Sequence, residues 1–470
     1  MHAHGRALAG RSRAERGLRR QGAAAGRRAR APRCHRGDGP LPPLRGAAHA
    51  LLRLEGLQRP RAAVGARSGS RGHNGRNGLA EEGRAPPATY PSCPPCSVLG
   101  GAAGASQEEP VKAAIVEGPD RLAVRDIPEP VPGDYQALCE LLYGATCSGT
   151  DSHIIEGNFP WISPYPTVLG HESVGRVVKL GPKVRHLRPG DLVPRVGTTP
   201  VGGASVTWGG FAEFGIATDF RAAQEDGAPP SVWGGCRMQR ALPPGTDPAA
   251  ATMFITWRET LSYANRISIS SPTVGGASLP REATVGGTSP SRDTILIIGS
   301  GGNALAYIAH ARNAGCPVRV MIGSPGREAV ALKAGATAFL SYKADDVREA
   351  ALGLCPDGFD LVIDAVGKVG LADLGLSLLR PGGTIGIYGI DDYGKCTLDP
   401  GRSQGTFTCF NGGYDEAETH DQVAALFQVG RLDASLWLDL THPFALGEIA
   451  EAFEAVRQRR VVKALVRLRA

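Results

Sequence analysis

The pattern of apolar and polar positions divides the chain into stretches of different kind. From 293 to 410, short continuous apolar runs alternate with helix-like segments. The runs 294–299, 318–322, 338–342, 359–364 and 384–388 read as strands buried on both faces. The segments 304–314, 327–334, 345–354 and 371–380 read as the helices between them. This alternation with short loops predicts an α/β fold, a doubly wound parallel sheet of Rossmann type.

From 106 to 267 the pattern differs. Short apolar stretches at 111–116, 121–127, 137–143 and 173–178 are separated by Gly- and Pro-rich turns, which suggests a partly closed β-barrel. A helix is expected over 249–267, with Asp247 as N-cap and Pro248 in the first turn. Glu259 on that helix reads by itself as an exposed, ion-paired carboxylate. The Pro- and Gly-rich stretch 221–247 reads as a loop or insertion. Residues 268–292 repeat themselves (TVGGAS, then TVGGTS) and read as a low-complexity insertion. In 411–470, helices near 421–427 and 446–457 precede a closing strand at 460–468. This part is expected to pack back on the barrel, making a discontinuous domain of 106–267 and 411–470.

Residues 1–105 show neither period. They are rich in Ala, Gly, Arg and Pro and read as a disordered extension, because so little apolar surface cannot offset the entropy of ordering. Charge sharpens the contrast. Residues 1–80 hold 18 Arg against Glu15, Asp38 and Glu55, a balance of +15, so the net +7 of the whole leaves −8 for the rest. The folded part is therefore mildly acidic, which argues against a nucleic-acid-binding body. No apolar run is long enough to span a membrane. Scattered cysteines suggest reduced thiols. A cytoplasmic location is expected; the Arg-rich start also fits an organelle transit segment.

The stretch 146–172 gathers Cys147, Asp151, His153, His171 and Glu172. A thiolate, imidazoles and carboxylates suit zinc, and a catalytic zinc takes three protein ligands and leaves one position open. A buried Cys and a hydrogen-bonded His would account for the same residues without metal. The segment after 294–299 reads strand, GxGxxA, helix. Gly299 would make the tight turn, Gly301 would admit a pyrophosphate, and the small Ala304, at the start of the helix, would permit close helix–strand packing, with Gly302 a further cofactor-binding candidate. The next strand carries no acid at its tip. Ser324 and Arg327 stand there instead, which favours a 2′-phosphate and so NADP over NAD.

Several motifs in order, GATCSGTDSH (144–153), PTVLGHESVG (166–175), RPGDLV (188–193), 209–214, 297–304 and LRPGGTIGIY (379–388), resemble the medium-chain dehydrogenase/reductase superfamily, its zinc-dependent alcohol and polyol dehydrogenases. The resemblance covers about 111–468. It implies a GroES-like catalytic domain beside the Rossmann domain, with one catalytic zinc. Its implied ligands are Cys147 and His171, with the adjacent Glu172 and with Glu259 of the Glu-x-Leu-Ser pattern as a further candidate. It implies Thr150 and His153 as a proton relay, a small alcohol or carbonyl substrate, and a homo-oligomer, dimer or tetramer. Ser148 and Gly149 put one residue more than usual between the Cys and the Thr-Asp pair, so a bulged loop is expected. Phe159, Trp161 and Trp208 are candidate lining residues, with packing the expected role. A zinc-free NADPH-dependent enone or quinone reductase and an inactive dinucleotide-binding protein are the alternatives.

Overall fold

The structure is a computed structural model. It describes residues 110–160, 165–201, 203–269 and 293–469, with two short paired strands, Thr273–Val274 and Ala277–Ser278, in between. The extension expected at 1–105, Trp161 and nearly all of the insertion expected at 268–292 lie outside the described residues.

One sheet has six parallel strands in the order Ala338–Ser341, Val318–Gly323, Thr294–Ile298, Phe359–Asp364, Leu379–Ile387, Thr408–Phe410. Its central strands are covered on both faces, which is why they read as unbroken apolar runs; every residue of Phe359–Asp364 is buried. The chain leaves Thr294–Ile298 toward one edge and returns to build the other. The strand ends at Ile298 and Asp364 therefore open a crevice where the order reverses. The last strand, Thr408–Phe410, is short and mostly exposed, and the apolar pattern did not signal it.

A second sheet runs Phe444–Ala445, Leu465–Arg467, Gln136–Ala145, Glu172–Leu180, Leu192–Pro194, with Phe214–Thr218 also paired to Gln136–Ala145. The C-terminal strand Leu465–Arg467 is thus hydrogen-bonded to a strand more than 300 residues earlier. A four-stranded sheet, Arg121–Ile127, Val111–Gly118, Thr167–Val168, Ser205–Val206, closes over the same core. Phe211, Leu141 and Leu169 fill it, each at most 1% exposed.

Three local expectations change. The stretch 221–247 is not simply loop: helices Phe220–Glu225 and Pro230–Trp233 and a 3-10 turn Gly234–Cys236 fall within it. Asp219 caps the first by accepting from Ala222 N. The helix expected over 249–267 is broken into Pro248–Ala251 and Met253–Arg266, although Asp247 does cap it, accepting from Ala250 N at 2.8 Å. That second helix is buried from Met253 to Ala264 between the two halves, so Glu259 is buried at 7% exposure and not a surface carboxylate.

Candidate active site

The strand Gln136–Ala145 ends just before Cys147, and a turn through Ser148 and Gly149 opens the helix Thr150–Glu156. The extra residue in this loop is absorbed there, with Asp151 N donating to Cys147 O at 3.2 Å. The helix puts Asp151, fully buried, in its first turn. Asp151 Oδ2 accepts from Cys147 N at 2.9 Å, and Oδ1 lies 3.0 Å from His171 Nδ1. His171 arrives by another route, through Gly170 at φ +97°. A Cβ on Gly170 would stand 2.5–2.7 Å from the Phe211 ring and backbone, so only glycine turns the chain here.

Cys147, His171 and Glu172 thereby offer ligand atoms within 4.8 Å of one another, all buried. Among the described residues this is the one such group. Asp151 engages His171 Nδ1, which leaves Nε2 for the cluster; Nε2 lies 3.7 Å from Glu172 Oε1. A carboxylate behind a histidine is the usual support of a metal-bound imidazole. The donor set of one thiol, one imidazole and a carboxylate fits zinc. Burial works against a charged His171, but Asp151 and then Cys147 outweigh it and raise its pKa well above normal. The pocket thus favours positive charge at this point.

Each neighbouring carboxylate has a cation of its own. Lys463 Nζ lies 2.7 and 2.6 Å from the two oxygens of Glu172 and 3.2 Å from Thr146 O. Burial opposes the ammonium, and Glu172 more than restores it, so the Lys463 pKa is raised. Glu259 stands outside the cluster. Its Oε1 is 3.2 Å from Arg195 Nη2, and its Oε2 accepts from Tyr388 Oη at 3.4 Å. Burial raises the Glu259 pKa against the pull of Arg195.

A cavity of about 1590 Å³ joins this cluster to the glycine-rich turn. Cys147, Thr150, His171 and Glu259 line it, and so do Gly299, Gly301, Gly302, Ala304, Ser324 and Arg327. Gly299 has φ +121°. A Cβ at Gly302 would stand 2.6 Å from Lys463 Cε, so this lysine lies against the turn as well as the carboxylate. Ser300 Oγ accepts from Ser324 N at 3.0 Å and ties the tips of the first two strands together. Arg327 donates to Val461 O; burial and then the nearby Arg459 lower its pKa. Arg459 donates to Tyr342 Oη at 3.3 Å. Both arginines and Tyr342 line the cavity.

His153 is not on the cavity wall. Its Nδ1 is 2.7 Å from Asn158 Oδ1 and its Nε2 3.4 Å from Asp391 Oδ1, and Asp391 does line the cavity. Phe159 and Trp208 also line it, and the Trp208 ring centroid lies 5.2 Å from that of His171. Sequence reasoning assigned no role to Arg195, Tyr388, Asp391, Glu416 or Lys463.

The family model described as "Zinc-binding dehydrogenase" matches residues 302–412, and the "Alcohol dehydrogenase GroES-like domain" matches 133–225. The chain is 26% identical over 357 residues to the L-galactonate-5-dehydrogenase of Escherichia coli, covering 75% of this chain and 97% of that protein. It is 28% identical over 368 residues to an L-threonine 3-dehydrogenase of Pyrococcus horikoshii, covering 73% and 94%. In fold it matches a zinc-binding dehydrogenase from Sinorhizobium meliloti bound to NADP, with a TM-score of 0.60 at 23% identity over 77% of this chain and 100% of that one. With a parallel sheet bearing the glycine-rich turn, a GroES-like domain and the buried Cys–His–Glu group between them, the chain belongs to the medium-chain dehydrogenase/reductase superfamily, as an alcohol dehydrogenase-like enzyme.

Proposed function

We propose that this protein is a zinc-dependent oxidoreductase that moves a hydride between an alcohol or polyol, or the matching carbonyl, and NADP. The observation that carries this reading is the buried Cys147–His171–Glu172 group, of which Cys147 and His171 line the same cavity as the glycine-rich turn.

Cys147, His171 and Glu172 would hold the ion, while Glu259, outside the cluster, is paired with Arg195. Zinc supplies a Lewis acid for the substrate oxygen, and the nicotinamide supplies the hydride acceptor. Asp151 fixes the His171 tautomer and the Cys147 backbone. Thr150 Oγ1, on the cavity wall, takes the substrate hydroxyl proton, and His153, one turn further along the same helix, passes it to solvent. Asp391 beside His153 raises its pKa, against burial. Lys463 spans the turn and Glu172, so its charge faces both the cofactor phosphates and the ligand carboxylate. Ser324, Arg327 and Arg459, which all line the cavity, would form the donor group for a 2′-phosphate.

One observation favours a zinc-free NADPH-dependent reductase as the second reading: Glu172 and Glu259 are each already paired with a cation. Metal content of the full chain, beside Cys147→Ala, separates the two. About one zinc per chain, lost in the variant, with NADP-dependent alcohol oxidation, is the expected result. Folded protein without zinc that reduces enones with NADPH would establish the second reading.

A further inference from the structure

We propose that Asp391, on a loop of the Rossmann domain, is a positioning residue of the proton relay: it aims Nε2 of His153 across the cleft and gives the relayed proton its exit to water. The inference rests on the relay reading of His153 and adds a residue 238 positions further along the chain.

The first observation is that the two ring nitrogens of His153 are not equivalent. Nδ1 lies 2.7 Å from Asn158 Oδ1. Asn158 is held in place by its backbone N, which donates to His153 O at 3.0 Å. Its amide is oriented by Nδ2, which donates to Glu156 Oε2 at 3.2 Å. The amide oxygen therefore faces the ring, and an oxygen acceptor there requires the proton on Nδ1. Nε2 is left as the nitrogen that takes up a proton and returns it. It lies 3.4 Å from Asp391 Oδ1. A bare Nε2 turns a lone pair toward the carboxylate, whereas a protonated one turns an N–H toward it. The contact across the cleft is thus favourable for the imidazolium and slack for the neutral ring.

The second observation is that Asp391 is fixed by its backbone. Its N donates to Val366 O at 3.1 Å, and Asp392 N donates to Gly367 O at 3.0 Å. Asp392 Oδ2 accepts from Val369 N at 3.1 Å. The loops after Phe359–Asp364 and after Leu379–Ile387 touch through Gly367 and Gly389, where a Cβ on either would stand 2.0–2.3 Å from backbone of the other loop. Asp391 is therefore presented to His153 by a clamped loop. Its side chain is 32% exposed against 13% for His153, and it lines the cavity while His153 does not. Of the two, the carboxylate is the one within reach of water.

The charges facing the ring are Glu156 on its own helix, 3.9 Å from Nδ1, and Asp391 from the opposite loop. Lys368 Nζ lies 3.7 Å from Asp391 Oδ2 and opposes the pair. Asp391 is also the first cause of the raised His153 pKa. In alcohol oxidation the substrate hydroxyl proton arrives through Thr150 and forms the N–H bond at Nε2. Asp391 pairs with the imidazolium and keeps its own charge. The same N–H bond then breaks to a water beside the carboxylate, and the ring returns to neutral.

The test uses full-length protein saturated with NADP and whichever of 2-propanol, 2,3-butanediol, benzyl alcohol and sorbitol turns over. The kcat for oxidation should fall on the acid side as His153 becomes imidazolium. Asp391→Asn should move that limb to lower pH, so that on the limb kcat relative to its plateau rises about three- to fivefold. Asp391→Glu should restore the limb, and Lys368→Gln should move it the opposite way. The NMR titration of the His153 ring, assigned by the signal lost in His153→Gln, should shift in the same directions. Turnover with either the limb or the His153 titration unmoved in Asp391→Asn, including a uniform fall in kcat at every pH, would overturn the role of Asp391 and leave the dehydrogenase intact. Folded protein that oxidises none of the alcohols would reject the dehydrogenase reading, and the relay with it.

Discussion

Asp151 shows how much one side chain can organise. Its two oxygens reach the Cys147 backbone and the His171 ring, so it sets the positions of two candidate ligands without joining the cluster. Asp151→Asn keeps the shape and loses the charge. Supporting groups of this kind contribute roughly 10–100-fold to metal affinity, and a loss of that order is expected in competition with a chelator. Arg327 is the second residue with a distinct expectation. Arg327→Ala should raise the KM for NADP roughly 10–100-fold, the size of one or two lost charged hydrogen bonds, and leave the KM for NAD nearly unchanged. His153 gives a pH dependence. Its folded pKa is raised, by Asp391 first, so the pair contributes stability that is fully present below about pH 6.5 and is lost as pH rises through the folded pKa. Asp391→Asn should therefore lower the melting temperature more at pH 5.5 than at pH 9.

At the scale of elements, the decisive joint is Gly170, between the short strand Thr167–Val168 and the strand Glu172–Leu180. Its left-handed backbone lets the chain pass Phe211 and deliver His171 into the pocket. Gly170→Ala meets both an unfavourable φ and a clash with ring and backbone, so a cost of about 3 kcal/mol is expected, read as a lower urea midpoint. The helix Met253–Arg266 carries Glu259 inward, because it lies sandwiched between the helix Gly302–Asn313 and the turn Glu416–Thr419. Its sequence, with Arg258 and Glu259 adjacent, gave no sign of this. Arg258 is fully buried through its pairing with Glu416, 158 residues away. No local period can report a partner at that distance.

At the scale of the whole molecule, the C-terminal strand and the residues just before it hold the halves of the site together. Leu465–Arg467 pairs with Gln136–Ala145, and Lys463 joins Glu172 to the glycine-rich turn. Removing one partner of a buried ion pair leaves the other charge uncompensated and costs about 3–5 kcal/mol. Lys463→Met should destabilise the protein by that order, and Lys463→Met combined with Glu172→Gln should recover part of it, as measured by chemical unfolding.

The sequence by itself determined the elements whose causes are local. Apolar runs of strand length, the Gly-Ser-Gly-Gly turn and the Asp247 cap each depend on neighbours in the chain, so the Rossmann-type sheet and the barrel were legible, as was the Cys147–His171–Glu172 grouping through its motifs. Tertiary structure alone decided which groups neutralise one another. It tied Glu172 to Lys463 and Glu259 to Arg195, put Asp151 behind His171, turned Trp208 beside the same ring, and kept His153 off the cavity wall. Those arrangements follow from burial, which makes an unpaired charge costly, and the partner that relieves it can come from any distance along the chain.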